Sequence, residues 1–138
     1  APFKTGERTG LIVMGQDYAA ITLESTEKGL ILNQISAKNV SNGTPETINA
    51  SVPVNQSTIF FRVEVKQTKS LNNENIQQPK ANCTFSYSLD GNKFIPFGNA
   101  FAAWEGKWIG AKVGVFCQRP KTLNDSGYAD IDWFRIEK

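Results

Sequence analysis

Two aspartates near the end of the chain have a spacing that could support chemistry. Asp130 and Asp132 lie in the stretch GYADIDWFRIEK. If this stretch is a strand, alternate side chains share a face, so the two carboxylates lie side by side, roughly 7 Å apart. That separation fits the carboxylate pair of a glycosidase and the oxygen ligands of a calcium ion. It also fits aspartates that only support the fold.

The chain contains no histidine. This excludes Ser-His-Asp and Cys-His catalysis and nearly every zinc site, because two cysteines alone cannot complete a tetrahedral shell. Carboxylate, lysine and tyrosine chemistry remains. Cys83 and Cys117 could form a disulfide in an exported protein, or could be two small buried apolar side chains.

Length and charge indicate one globular domain over residues 1–138, with 40% apolar residues and a net charge of +2. The charges form no basic stripe for nucleic acid and no polybasic patch for a membrane surface. No apolar run approaches the ~20 residues of a spanning helix. The start APFKTGERTG lacks the layout of a signal peptide, so the chain could begin after a signal or inside a longer protein.

Strand signals recur along the chain, and no stretch longer than ten residues has a helical period. The stretch NVSNGTPETINASVPVNQS is rich in turn residues and predicts a long loop with at most one short edge strand. About eight strands separated by regular turns predict an all-β, antiparallel two-sheet β-sandwich with almost no helix. The predicted strands are GLIVMG, YAAITLEST, LILNQISAK, TIFFRVEVKQ, NCTFSYSLD, KFIPFG, KWIGAKVGVFC and YADIDWFRIE.

Alternation in two of these strands predicts which side chains face the core. The inward sets are Ile59, Phe61, Val63 and Val65, and Cys83, Phe85, Tyr87 and Leu89. The outward sets are Phe60, Arg62, Glu64 and Lys66, and Asn82, Thr84, Ser86 and Ser88. Such a polar sheet face could bind sugar hydroxyls, although facing water is the commoner role.

Tryptophan is the natural residue for stacking on a sugar ring, because the indole has a flat apolar face. Trp104 lies in the loop-like stretch AFAAWEGK and is the tryptophan expected to be exposed. Trp108 and Trp133 lie in predicted strands and are expected in the core. Tyr128, Phe60 and Arg62 are secondary candidates for carbohydrate contact.

The order of the pieces resembles a known family. The stretches GLIVMGQDYAAITLESTEKGLILNQ, TIFFRVEV, FSYSLDGNKFIPFG, GKWIGAKVGVF and GYADIDWFRIE follow one another between Gly10 and Glu137. In this order they resemble the C-terminal concanavalin A-like domain of glycoside hydrolase family 43 enzymes, which include β-xylosidases and α-L-arabinofuranosidases. The resemblance implies a noncatalytic jelly roll docked on a five-bladed catalytic propeller, with a loop at the rim of the active site in some enzymes. Some relatives bind xylan as carbohydrate-binding modules.

The resemblance changes the expected roles of the candidate residues. It implies that the catalytic acids lie in the propeller, so Asp130 and Asp132 are expected to be structural, with a structural calcium ion as the alternative. Only about nine residues precede GLIVMG, where related domains have further strands. The fold is therefore expected to lack its first strands, and the unpaired edge this leaves should favour self-association.

The leading hypothesis is an accessory domain of a bacterial, secreted or periplasmic glycoside hydrolase. It would support the catalytic propeller and shape the access of xylan or arabinoxylan. The alternative is a carbohydrate-binding module that holds xylan oligosaccharides through Trp104 and the polar sheet face. An enzyme in its own right and a laminin-G-like protein-interaction module are the remaining hypotheses.

Overall fold

The computed structural model describes residues 4–69, 79–106, 110–121 and 127–138. Within these ranges the predicted all-β class is confirmed, because helix is limited to a single 3-10 turn at Val40–Asn42. No helix among the described residues has the length and apolarity that crossing a membrane requires. The strands are β1 Arg8–Met14, β2 Tyr18–Thr26, β3 Gly29–Ala37, β4 Thr47–Val54, β5 Phe60–Gln67, β6 Ala81–Ser88, β7 Ile95–Pro96, β8 Phe101–Ala103 and β9 Lys112–Gln118.

The strands form two antiparallel sheets. The first has the order β4-β3-β2-β1-β9, and in the second β6 pairs with β5 along its length and with the short strands β7 and β8. The sheets pack face to face, with β1 against β5 and β2 against β6. The predicted antiparallel sandwich is therefore confirmed.

The core lies between the sheets and is built from alternate residues of each strand. The first sheet contributes Leu11, Val13, Ile21 and Leu32, and the second contributes Cys83, Phe85, Tyr87 and Phe101. The inward assignment of Ile59, Phe61 and Val63 is confirmed, since all three pack against this cluster. Val65 lies opposite the buried Cys83 but is 52% exposed, and Leu89, which follows β6, is 43% exposed.

The two cysteines are free in the structure. Cys83 is buried on the core face of β6, and burial raises the pKa of its thiol. Cys117 is exposed on β9, and its Sγ lies 3.3 Å from the hydroxyl of Thr9. The cysteines therefore form neither a disulfide nor a pair of buried side chains, because both are free and only Cys83 is buried.

The edge strand that the sequence allowed within the loop after β3 is present as β4, but at eight residues, 47–54, it is longer than predicted. There β4 pairs with β3 from Leu30 opposite Val54 to Ser36 opposite Thr47, with an irregularity between Gln34 and Ile35. Pairing with an already formed strand outweighed the turn-forming composition, and Pro53 is tolerated because β4 is an edge strand.

The prediction of a final strand over YADIDWFRIE was wrong. Residues 127–138 form no strand, so Asp130 and Asp132 do not share a sheet face. A strand needs a neighbouring edge, and this segment makes no ladder with any described strand. The expected burial of Trp133 fails for the same reason, since it is 53% exposed and its ring contacts Phe60 at a centroid distance of 6.2 Å. Trp108 lies outside the described residues.

A charged network ties the start of the first sheet to the segment before β4. Arg8 donates two hydrogen bonds to the Glu46 carboxylate, at 2.7 and 3.1 Å, and the Tyr18 hydroxyl donates a third at 2.6 Å. Burial raises the pKa of Glu46, but the hydrogen bonds from Arg8 and Tyr18 and the charge of Arg8 outweigh burial and hold it below its ordinary value. Burial, followed by the bond to Glu46, raises the pKa of Tyr18 to about 12.

Glu46→Gln should destabilise the chain at neutral pH and much less in acid. Because the folded-state pKa of Glu46 is lowered, its contribution is present above the ordinary value of 4.5 and is lost as the pH falls through the folded-state pKa. Urea unfolding at about pH 7 and about pH 3 would measure this, with Glu27→Gln in an exposed turn as the control. An equal loss of stability at both pH values would contradict the prediction.

Candidate functional site

A cleft of about 520 Å³ lies between β3, the segment leading into β4, and the loop that carries β8. This volume falls within the range of small-ligand sites. Trp104 directly follows β8, is half-buried and lines the cleft together with Phe101. The tryptophan that the sequence predicts to be accessible is therefore at the edge of a concave site.

The floor of the cleft is built around Gln34, whose side chain is fully buried. Its Oε1 accepts hydrogen bonds from Nδ2 of Asn49 at 2.9 Å and from the backbone N–H of Asn99 at 3.1 Å. Nδ2 of Asn49 also donates to the Ser36 hydroxyl at 3.0 Å. Burying an amide is unfavourable unless it is hydrogen-bonded, so these contacts fix the three segments relative to one another.

Two glycines allow the loops to approach this floor. Gly98 has a φ of +77°, and a Cβ at this position would overlap the Gln34 side chain. Gly15 lies in the turn between β1 and β2, where a Cβ would overlap the backbone carbonyl of Trp104. The position of the Trp104 backbone thus depends on a residue without a side chain in a distant turn.

The charges lining the cleft balance. Asp17 and Lys38 are its charged lining residues, and the hydroxyls of Ser36, Thr44 and Thr47 complete the polar wall. One Asp17 oxygen already accepts the backbone N–H of Asn39 at 2.8 Å. A neutral wall of amides and hydroxyls beside an indole suits a neutral, hydroxyl-rich ligand.

The described lining residues can be compared with the carboxylate pair that a glycosidase uses. Glycoside hydrolysis ordinarily uses two carboxylates on either side of the scissile bond. Among the described residues lining the cleft, Asp17 is the single carboxylate. The described part of the lining therefore contains no pair of carboxylates.

The other candidate residues lie elsewhere. Phe60 and Arg62 are on the outer face of β5, where the Arg62 guanidinium carbon lies 3.6 Å from the centre of the Phe94 ring. Trp104 is at the opposite end of that sheet, because Ala103 pairs with Ala81 at the far end of β5. Seven residues of strand separate the two ends, or roughly 23 Å. Tyr128 is 61% exposed in the C-terminal segment. The structure does not unite the four residues in one site.

Comparison with known families decides the identity of the domain. The family described as "Beta xylosidase C-terminal Concanavalin A-like domain", of glycoside hydrolase family 43, matches residues 1–137. The chain belongs to this family. The recognition drawn from its strand motifs is thereby confirmed.

A curated relative of this concanavalin A-like domain is named a beta-xylosidase, from Formosa agariphila. The two sequences are 44% identical over 53 residues, a stretch that makes up 38% of this chain and 9% of the relative. The match therefore covers a small part of the relative's length. No solved structure matches the domain significantly.

The two C-terminal aspartates of this concanavalin A-like domain can be assessed as metal ligands within the part of the chain that the structure describes. The described residues contain no group of three or more acidic, cysteine or histidine side chains that could hold a metal ion. Asp130 and Asp132 are exposed, and no further carboxylate joins them within those residues. A calcium site there stays a prediction from the sequence.

Gln34, Asn49 and Asn99 are the site residues that the sequence analysis missed. One signal was available for Gln34, since it continues the inward series of Leu30 and Leu32 in β3 and interrupts it with an amide. A polar residue at an inward position needs partners, and it often marks a built site. Asn49 and Asn99 gave no such signal, because both lie in stretches rich in turn residues.

Proposed function

We propose that this chain is the noncatalytic accessory domain of a family 43 β-xylosidase or α-L-arabinofuranosidase. In the parent enzyme it supports the catalytic propeller and shapes the access of xylan or arabinoxylan to the active site. The proposal includes an exported enzyme, secreted or periplasmic, in which the catalytic carboxylates lie in another part of the polypeptide.

The observation that carries this proposal is the family match over residues 1–137. The relative is named a beta-xylosidase, which supports the class of parent enzyme. The matched stretch makes up only 9% of that relative, so the rest of its length can hold a separate catalytic domain. Asp17 is the single carboxylate among the described residues that line the cleft, which supports a noncatalytic role.

The test is to express the parent enzyme with and without residues 1–138. If the domain supports the propeller, its removal should lower both the melting temperature and kcat/KM for a nitrophenyl xyloside, the latter on the order of tenfold through loss of positioning. Circular dichroism of the shortened enzyme separates a folded, poorly active propeller from one that has unfolded. Unchanged kcat/KM and unchanged melting would contradict the proposal.

A carbohydrate-binding role is the second candidate, and the Trp104 cleft specifically favours it. The cleft joins an indole, three carboxamides and no net charge, a combination that suits a xylo-oligosaccharide. Such a site would hold the polysaccharide near the catalytic domain instead of, or in addition to, supporting that domain.

Trp104→Ala should abolish oligosaccharide binding in this second role. Isothermal calorimetry with xylohexaose should give a Kd of about 1 mM or tighter for the unmodified chain and no measurable heat for the variant. Trp133→Ala is the matched control, because this tryptophan is 53% exposed but lies outside the cleft lining. No heat with the unmodified chain, or an equal loss in both variants, would count against binding in the cleft.

A further inference from the structure

One edge of the strand β5 is free of any neighbouring strand among the described residues. The strand pairs with β6 on one side, and no strand among the described residues pairs with its other side. This edge is eight residues long, Phe60–Gln67, and five of those residues are exposed. A long unpaired edge presents backbone donors and acceptors that are ready to pair with another strand.

Beside that edge the described residues cover the core side of the first sheet only in part. In the sandwich β1 packs against β5, and β2 packs against β6. The strand β9 pairs with β1 on the side away from β2, so it extends past the edge of β5 that faces away from β6. Val113 and Val115 of β9 are in register with Val13 and Leu11, so they face the core side, yet they are 41% and 46% exposed. An added strand beside β5 would lie over these two valines.

We propose that the free edge of β5 pairs antiparallel with the β5 edge of a second copy of the chain, with Val63 on the twofold axis. In this register Arg62 lies opposite the partner's Glu64, and Glu64 lies opposite the partner's Arg62. Phe61 lies opposite the partner's Val65 on the core side, where Val65 is 52% exposed in the single chain. Charge complementarity and the exposed apolar surface therefore favour a second copy of the chain as the partner of this edge.

The other registers are less favourable. A shift by one residue would bring core-facing side chains against solvent-facing ones, so the axis must pass through a residue. An axis through Arg62 or Glu64 would place like charges directly opposite each other, which destabilises a sheet. An axis through Val65 would pair Glu64 with the partner's Lys66, but Phe60 and Phe61 would then lie beyond the end of the partner's β5.

The charges set the register, and the apolar side supplies the driving force. The partner's β5 would bring Phe61, Val63 and Val65 over Val113 and Val115, extending the sandwich core across the twofold axis. Arg62 is exposed and stacks on Phe94 in the single chain, so pairing requires its guanidinium to turn towards the edge. This inference concerns the fold and does not depend on the proposed activity of the parent enzyme.

Sedimentation velocity over a range of chain concentrations tests the inference. The unmodified chain should form a dimer, and Arg62→Glu or Glu64→Arg alone should weaken dimerisation by roughly tenfold or more, because each places like charges opposite each other twice. The double variant Arg62→Glu with Glu64→Arg restores both pairs and should return the Kd to within about threefold of the original. Lys66→Glu is the matched control, since Lys66 lies on the same face but opposite the partner's Phe60 and should leave the dimer intact.

Several results would overturn the inference. A chain that is monomeric at every concentration, or a double variant as weak as the single ones, would show that these charges do not meet. Hydrogen exchange adds a second readout. If the β5 amides that point away from β6 are protected in the monomer as strongly as at high concentration, another segment of the same chain occupies the edge and the second copy does not.

Discussion

Phe85→Ala should lower the free energy of unfolding by about 3–5 kcal/mol, the largest effect expected from a single substitution in this domain. Phe85 is 3% exposed, lies in the middle of β6 opposite Val63, and faces the buried side chains of the first sheet. Truncation removes a whole aromatic ring from between the sheets. The hydrogen-bonded ladders on both sides of β6 limit how far its backbone can move into the cavity that is left.

Urea unfolding measures this loss against Ile48→Ala. Ile48 is also a strand residue but is 60% exposed on the edge strand β4, so its truncation should cost less than about 0.5 kcal/mol. Domains of this size are stable by only about 5–15 kcal/mol, so the Phe85 variant should be visibly destabilised at room temperature. Similar losses for the two variants would mean that Phe85 does not lie between packed sheets.

Gly15→Ala should both destabilise the domain and displace Trp104. A Cβ at Gly15 would overlap the Trp104 carbonyl oxygen, and the neighbouring carbonyl carbon would lie only 3.0 Å away. Backbone cannot turn aside as a flexible side chain can, so the turn or the Trp104 segment must move. Overpacking of this kind costs about 1–3 kcal/mol.

Gly114→Ala provides the matched control for that substitution. No atom lies within 4 Å of a Cβ built at Gly114, and its φ is not positive, so alanine should be neutral or slightly stabilising there. Unfolding and tryptophan fluorescence would be recorded for both variants. If Gly15→Ala leaves stability and fluorescence unchanged, the close approach between the turn and the Trp104 backbone is not as described.

Alternation made much of the fold predictable from the sequence. Each of β5 and β6 has one solvent-facing side. Alternate residues of a strand therefore fall into an inward set, with Phe61 and Val63, and an outward set, with Arg62, even when the partner strand is unknown. The sandwich class followed from the number of such strands and the regular spacing of the turns.

The underestimated length of β4 and the wrongly predicted C-terminal strand share a physical cause. A strand is stabilised by its neighbour, and the neighbour is not visible in local composition. Ladder bonds to β3 make a strand of the Ser- and Asn-containing residues 47–54. The C-terminal segment has the better alternation, but without a described partner strand its Ile131, Trp133 and Ile136 remain 52%, 53% and 86% exposed.

The candidate site was predictable only in part. Trp104 could be selected because it lies in a loop-like stretch next to Glu105 and Gly106, which favours exposure. The cleft itself joins residues far apart in the sequence, as the bond between Asn99 and Gln34 illustrates. Phe60 and Arg62 were grouped with Trp104 by residue type, and the strand register separates them by the length of β5.

The most direct test of the central claim is hydrolysis by this chain alone. Incubation with nitrophenyl β-xyloside and nitrophenyl α-L-arabinofuranoside should release no nitrophenol above the buffer rate, because the chemistry is proposed to lie in another part of the parent enzyme. Turnover by the purified chain that disappears in Asp130→Asn or Asp132→Asn would contradict the account and restore the two terminal aspartates as a catalytic pair.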